Sequence, residues 1–378
     1  MGDQPPDGPA RGGPRWPVVA AMAVAVAGVA VVVVAAWPRD SGMRVRWAVS
    51  TFGPVVAPPL LAGDRLFAAS TDGTVRCLDR DSGQELWVST APRLAVRCGM
   101  ALAGGTLYCC SDANLVVALS ASDGSVRWEH ETRGPMQSAP VVYDGRVYAA
   151  GDDGILRVLS AHTGVLERYY RRPSYVAADL AVSSNGVLAM GCGDGFLHLI
   201  DLTQPAVRAL NGEWRPEEKR AEAQAAIHGD PVVDGSRLLF GSDDGRLHCV
   251  DLRTAQVLGD VVVADAVRSR PCVDEQTAYF GANDGCLYAA DITTGYVLWR
   301  RRCGGAVRSQ PVLLRGVLYF ASDDGSLWAV APRDQGRVLG RLRFGSAISG
   351  GLVGEGDRLY FGCDDGAVRC VESYLPRS

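Results

Sequence analysis

One pattern of apolar and polar positions returns eight times between residues 70 and 372: an apolar strand end, a polar turn centred on glycine, then a strand of alternating character. The copies read STDGTVRCLD (70–79), SDANLVVALS (111–120), GDDGILRVLS (151–160), CGDGFLHLID (192–201), SDDGRLHCVD (242–251), ANDGCLYAAD (282–291), SDDGSLWAVA (322–331) and CDDGAVRCVE (363–372). Counting Asn114 with the turn glycines, the spacings are 41, 40, 41, 50, 40, 40 and 41 residues. Asp-Gly flanked by alternating apolar residues predicts a hairpin, because the tight turn needs positive φ. Asn114 is the residue type best able to replace glycine there. Within the seventh unit the pattern predicts strands over Pro311–Leu314, Val317–Ala321 and Ser326–Val330, with a fourth near Val338–Leu339. Units of about 40 residues with four strands are propeller blades. The fold class predicted is all-β, an eight-bladed β-propeller of four-stranded blades over residues 42–372.

The count also predicts how the ring closes. The last hairpin ends at Glu372 and leaves no room for a fourth strand, whereas Gly42–Ala48 reads as an outer strand without a blade, with Trp47 lying 40 residues ahead of Trp87. The N-terminal strand should therefore complete the eighth blade around Ala367–Val371, removing the edges of an open sheet. The 50-residue interval places an insertion at 211–229 (NGEWRPEEKRAEAQAAIHG). Pro216 followed by Glu217-Glu218 and several alanines predicts a short helix there, standing over the same face as the first-strand starts. It is either a partner-binding feature or a neutral insertion.

Ahead of the repeats the pattern changes character. Residues 1–16 are rich in Pro and Gly without apolar periodicity, the composition of a disordered tail. From Pro17 to Trp37 there is no charge, and about 20 apolar residues suffice to cross a bilayer. Trp16 and Trp37 bracket the run, as interfacial tryptophans do. The segment 17–37 reads as one transmembrane helix or signal anchor preceding the propeller; cleavage at Val34-Ala35-Ala36 is the alternative. Arg11 and Arg15 before the run balance Arg39, Arg44 and Arg46 after it, so charge does not set sidedness. The layout of a short tail, one span and a large domain favours an extracytoplasmic propeller on the cell membrane.

Composition adds exclusions. A hydrophobic share of 47% supplies a core, and 45 glycines supply turns. A net charge of −4 with no basic block gives no reason to expect nucleic acid. Lys219 is the only lysine among 38 basic residues. Eleven cysteines, an odd number, show no metal-binding spacing such as C-x-x-C. Cys77, Cys249 and Cys370 share one repeat position and Cys192 and Cys363 another, which suits small buried hydrophobes. The aspartate pairs Asp152-Asp153, Asp243-Asp244, Asp323-Asp324 and Asp364-Asp365 fit turn chemistry better than calcium, which needs six or more oxygens converging on one ion.

A second motif carries a resemblance. Ala289–Trp299 has the form A-x-D-x-x-T-G-x-x-x-W, and Cys77–Trp87 and Ala118–Trp128 follow it loosely. This resembles the tryptophan-docking repeat of pyrroloquinoline-quinone-type propellers, over about 330 residues of the chain. Units three, four, five, seven and eight lack the tryptophan. Enzymes of that family carry an adjacent cysteine pair beside the quinone, which Cys109-Cys110 invites one to compare. These two align with Phe320-Ala321 on a second strand, and the minimal connections leave little room for the family's calcium site or catalytic aspartate. The chain is similar to the non-enzymatic branch that resembles the propeller lipoprotein of outer-membrane assembly, although no cysteine ends the hydrophobic run to carry a lipid. The resemblance implies a binding or assembly module with no catalytic residues, cofactor or metal. Propellers serve many functions, so an enzyme using the channel mouth stands as the alternative.

The candidate site lies at the start of each first strand. AVRSRP (266–271) and AVRSQP (306–311) nearly repeat, and LAVRCGM (94–100) is related. In register, Val56, Arg97, Gln137, Ala177, His228, Arg268, Arg308 and Ile348 should ring one mouth of the axial channel. Arg97, Arg268, Arg308, His228 and Gln137 there would hold a small anionic ligand or a protein partner. The other outcome is that the arginines pair with neighbouring turn aspartates and tie blades together. The sequence leaves both open.

Overall fold

The computed structural model describes residues 42–374, except 90, 92–93, 173, 177, 205–206 and 209–212, together with the strands Val24–Val26 and Val29–Val32. Seven antiparallel four-stranded sheets follow one another along the chain, and an eighth joins its two ends. Blades 1 to 7 span 60–89, 101–131, 141–171, 181–222, 232–262, 272–302 and 312–343. Blade 8 takes Val353–Glu355, Arg358–Gly362 and Ala367–Glu372 from the C-terminal end and Arg44–Ser50 from the N-terminal end. The joining pair is antiparallel, with Arg44 opposite Glu372, Trp47 opposite Cys370 and Ser50 opposite Ala367.

Burial explains why the hairpins dominate the sequence. Sheets packed face to face bury both sides of their inner strands. In blade 2, every residue of Thr106–Ser111 and Leu115–Ser120 is buried, whereas Val126–Glu131 buries only Trp128. The core is accordingly a set of inter-blade layers; one joins Tyr279, Leu287 and Ala289 to Leu318, Phe320 and Trp328. Asn114 adopts φ of 64° where other blades use glycine.

The tryptophan motif has a mechanical basis. Asp291 Oδ1 accepts the backbone N–H of Thr293 and Thr294 at 2.8 and 2.9 Å, setting a turn that ends on Gly295 with φ of 74°. The indole of the preceding blade lies on such a glycine. A Cβ on Gly124 would fall 2.5 Å from the Trp87 ring, whose Nε1–H donates to Ala121 O at 3.2 Å. Trp47 docks likewise on Gly83, Trp128 on Gly164 and Trp299 on Gly336.

One expectation is corrected and a second falls mostly outside the described residues. No helix forms among the described residues of 211–229: Glu218–Glu222 is the outer strand of blade 4, burying Ala221 while its neighbours stay exposed or half-buried. The extra length is spent earlier, where Val207–Arg208 pairs with Trp214–Arg215. Because consecutive strands reverse direction, this third-to-fourth-strand connection stands on the face opposite the first-strand starts. The pull of sheet pairing outweighed local helix propensity. The helix expected over 17–37 is not seen among the described residues of that run. The described parts of that run are strands, with Val29–Val32 adding to Arg44–Ser50 through Val31–Val49 and Val32–Ala48. Valine-rich, wholly apolar sequence carries no period that separates helix from strand. The rest of 17–37, and the tail 1–16, lie outside the described residues. No helix among the described residues is long and apolar enough to cross a membrane.

Candidate functional site at the axial mouth

The alternation of strand direction places the starts of first strands and the second-to-third-strand turns on one face. Ring residues and turn aspartates therefore meet there. The two members of each aspartate pair divide the work. Asp153, Asp244, Asp324 and Asp365 turn inward and accept the N–H two residues on, at 3.0–3.1 Å. Asp243 and Asp323, the first members, face the mouth.

Each ring arginine finds a carboxylate. Arg268 donates through Nε and Nη2 to both oxygens of Asp243 at 2.8 Å, across the seam between blades 5 and 6. His228 Nδ1 lies 3.0 Å from the same Asp243, whose carboxyl burial raises but the Arg268 hydrogen bonds and neighbouring groups bring below the ordinary aspartate range. Arg308 pairs with Asp323 at 2.9 Å and reaches Asn283 Oδ1 of blade 6. Arg97 is hydrogen-bonded through Nε to Asp112. All three guanidiniums remain 40–55% exposed. Gln137 is exposed, and Asp152 of the same blade makes no ion pair among the described residues; burial and the Asp112 and Asp153 charges raise its carboxyl. Ile348 is buried, Val56 is half-buried, and Ala177 lies outside the described residues. Tyr175 adds a ring tilted against His228, with centroids 6.0 Å apart.

Two residues further along the same register lies a throat that the sequence reading missed. The positions are Pro58, Gly99, Ala139, Asp179, Asp230, Arg270, Gln310 and Gly350. Asp179 Oδ1 accepts the Ala139 N–H at 2.7 Å, and Asp230 Oδ1 accepts the Asp179 N–H at 2.8 Å. A Cβ on Gly99, two blades from Asp179, would come 3.1 Å from Asp179 Oδ2, so this carboxyl narrows the axis itself. Burial, and then the Asp230 charge, raise Asp179 to about 8, with Arg270 opposing. Burial raises Asp230 as well. The signal was available: polar residues at one repeat position in four consecutive blades, where the other four carry Pro, Gly or Ala. The mouth holds more carboxylates than guanidiniums, because the turn aspartates Asp112, Asp152, Asp243, Asp323 and Asp364 outnumber Arg97, Arg268 and Arg308.

The other chemistry-bearing groups sort into packing. Cys109 and Cys110 are adjacent on a strand, so their thiols point to opposite faces of the sheet, and both are fully buried. Burial pushes the Cys109 thiol far up. All eleven cysteines are free and nine are buried. Cys192, Asp194 and His198 bring ligand-type atoms within 4.8 Å of one another. The Arg172 guanidinium already occupies that space, 3.0 Å from His198 Nε2 and 3.7 Å from Asp194, and would repel a cation.

A family model described as outer membrane protein assembly factor BamB matches residues 4–98, 71–295 and 263–339. The outer membrane protein assembly factor BamB of Yersinia pestis is 26% identical over 218 residues, which cover 53% of this chain and 55% of that protein. The chain thus spans about half the length of the curated relatives it matches. The crystal structure of BamB from Moraxella catarrhalis superposes with a TM-score of 0.73 at 19% identity, covering 89% of this chain and 99% of that one. A europium-containing methanol dehydrogenase superposes with a TM-score of 0.73 at 14% identity, covering 88% and 94%. These superpositions show the fold alone. An assembly factor and a dehydrogenase share it, so function has to be argued from the site.

Proposed function

From the premise that the chain belongs to the family of the outer membrane protein assembly factor BamB, we propose that it is a non-catalytic propeller that binds a protein partner during assembly of envelope proteins. The observation that carries the reading is the state of the mouth: Arg97, Arg268 and Arg308 each already hold a turn carboxylate. A small anion would have to displace an ion pair to bind there, and gains little from a mouth richer in carboxylates than in guanidiniums. A protein surface of mixed charge can exchange pair for pair over a wide area, which favours specificity and encounter rate more than raw affinity. The second-to-third-strand turns on that face are short, so the partner has open access. Cys109 and Cys110, the pair a quinoprotein-type enzyme would set side by side, face different layers.

The tether belongs to the same proposal. The uncharged run 17–37 has the length and flanking tryptophans of a membrane segment, and would hold the propeller on the extracytoplasmic side of the cell membrane. Carbonate extraction should leave full-length protein in the membrane pellet; soluble protein beginning at Trp37 would replace the anchor with a cleaved signal.

The partner test is cross-linking and capture from native membranes with the full-length chain, compared with Arg268→Gln/Arg308→Gln. The double variant should fold and lose most of a partner that the unaltered chain retains. Unchanged capture together with a lower melting temperature would assign the ion pairs to blade cohesion and move the docking surface elsewhere. Saturable binding of inorganic phosphate at the mouth would instead support a small anionic ligand.

A further inference from the structure

On the face opposite the mouth, the first-to-second-strand and third-to-fourth-strand turns border grooves between neighbouring blades. At three seams an arginine at the start of the second strand crosses the groove. Arg65 donates to Ala121 O of blade 2 at 2.7 Å, Arg237 reaches Glu275 O of blade 6 at 3.4 Å, and Arg358 pairs with Asp81 of blade 1. Blade 2 carries Thr106 at this register position instead. Blade 6 also has a threonine there, Thr277, but Arg333 crosses that seam to Asp274 at 3.6 Å. Between blades 2 and 3 nothing equivalent crosses among the described residues, and the groove stands open with a volume of about 630 Å³. That is the size of a site for a small organic molecule.

The lining has a definite chemistry. Tyr108 is buried, with its hydroxyl donating to Ala161 O at 3.1 Å, so it presents its ring to the groove rather than a free hydroxyl. Val142 and Ala161 continue the apolar wall, and the exposed His162 stands at its edge. Arg127 comes in from the outer strand and donates through Nη1 to the buried Thr106 hydroxyl. Among the described residues Arg127 makes no ion pair, unlike Arg97, Arg268 and Arg308 at the mouth. Asp123, an acid whose charge acts on Arg127, is engaged by the Ser125 N–H and hydroxyl at 3.0 and 2.7 Å. A guanidinium held at its tip by one neutral hydroxyl, above an apolar wall, keeps the planar donor pairs that match a carboxylate.

We propose that the groove between blades 2 and 3 binds a carboxylate borne on a compact apolar body, with Arg127 holding the carboxylate and Tyr108, Val142 and Ala161 holding the body. Such a group is either a free organic acid or the C-terminal residue of an apolar peptide. The site is separate from the mouth and stands whether or not the partner reading above holds.

The test is a ligand-observed NMR titration of the full-length protein in detergent with 4-phenylbutanoate, its neutral amide, and Ala-Ala-Ala-Phe with a free or amidated C-terminus. The free acid should bind saturably and its amide should not. Arg127→Leu should weaken binding about tenfold or more, the loss of a charge-assisted hydrogen bond. Thr106→Arg, which installs the residue of blades 1, 3, 5 and 8, should abolish binding, with the melting temperature measured alongside to separate blockage from unfolding. Tighter binding of the free-terminus peptide identifies a chain end as the ligand; tighter binding of phenylbutanoate identifies a small acid. The proposal fails if neither acid binds up to about 10 mM, if the amides bind as well as the acids, or if Arg127→Leu leaves the affinity unchanged. Arg127→Leu replaces an exposed side chain at the cost of one hydrogen bond to Thr106, so its result, read with its melting temperature, stands even if Thr106→Arg misfolds.

Discussion

Blades 8, 1, 2 and 3 are joined by indoles, whereas blades 3, 4, 5 and 6 are joined without a tryptophan at the docking position. In the first arc, Trp47, Trp87 and Trp128 each lie on the next blade's turn glycine and donate Nε1–H to a carbonyl at 3.0–3.2 Å. In the second arc that position holds Arg168, Lys219 and Gly259, opposite Val158, Leu199 and Cys249. Each replacement answers differently. Arg168 lies over Trp214, 5.5 Å from its centroid, so the insertion supplies the indole the strand lacks. Lys219 donates Nζ to Arg253 O at 2.7 Å, reaching the next blade's turn as an indole N–H does. Gly259 leaves room for Gly295 to approach, where a Cβ would come 2.7 Å from Asp260 O. The second arc also holds Arg172 with Glu218 and His198, and the throat pair of carboxyls Asp179 and Asp230, while the first arc buries the ion pair of Arg76 with Glu85. One architecture is therefore closed by apolar docking on one side and by polar contacts on the other, and the sensitivity to pH belongs to the polar side.

Removing the first docked strand is the most severe way to test the comparison. A chain beginning at residue 52 lacks Arg44–Ser50 and Trp47, and leaves the edge of Ala367–Glu372 unpaired. Thermal unfolding followed by circular dichroism should lose its single cooperative transition, with aggregation, whereas a chain beginning at residue 40 keeps it. Equal sharpness of the two melts would show that blade 8 does not need the strand. Trp128→Ala should come next, costing about 3–5 kcal/mol as a buried indole is replaced by a cavity. Denaturant titration measures it, and a cost below 1 kcal/mol would remove the docked arc's claim to be the stronger half.

The polar arc should reveal itself through pH. Asp179 is raised to about 8 when folded, against about 4 when unfolded. Between those values the native state keeps a proton that the unfolded chain has released, so stability falls as pH rises through that window and levels off above about 8. Asp230, raised in the same direction, adds to the slope, while Arg270 opposes it. Asp179→Asn should flatten the dependence of the melting temperature on pH, and an unchanged slope would place its origin outside the throat. Lys219→Met should have the smallest effect, about 1 kcal/mol for one hydrogen bond across the seam between blades 4 and 5. No measurable loss would mean that Ala221 and Leu252, packed in the same layer, close that seam by themselves.

How much of this could be read along the chain follows from where each feature's cause lies. Eight blades, their hairpins and the completion of the last by Arg44–Ser50 are legible because turn glycines need positive φ, and inner strands buried on both faces demand apolar runs. These causes act within a few residues, so they mark the sequence at a constant spacing. The alignment of Arg97, His228, Arg268 and Arg308 was legible for the same reason. Turn aspartates stood as one of two outcomes for them, but which one each would take was not legible, because Arg268 meets Asp243 across 25 positions and Arg308 reaches back to Asn283; which carboxylate a long, flexible guanidinium selects depends on how neighbouring blades are set. The insertion misled because Pro216 and its alanines favour a helix locally, while the edge of Phe196–Asp201 offered hydrogen bonds that only a strand could take. The throat of Asp179 and Asp230 left a signal only at the scale of the repeat, and the open groove at Thr106 was decided by tertiary structure alone. Each exists because several blades converge, and no short stretch of sequence records an absence of crossing side chains or the meeting of two carboxyls on an axis.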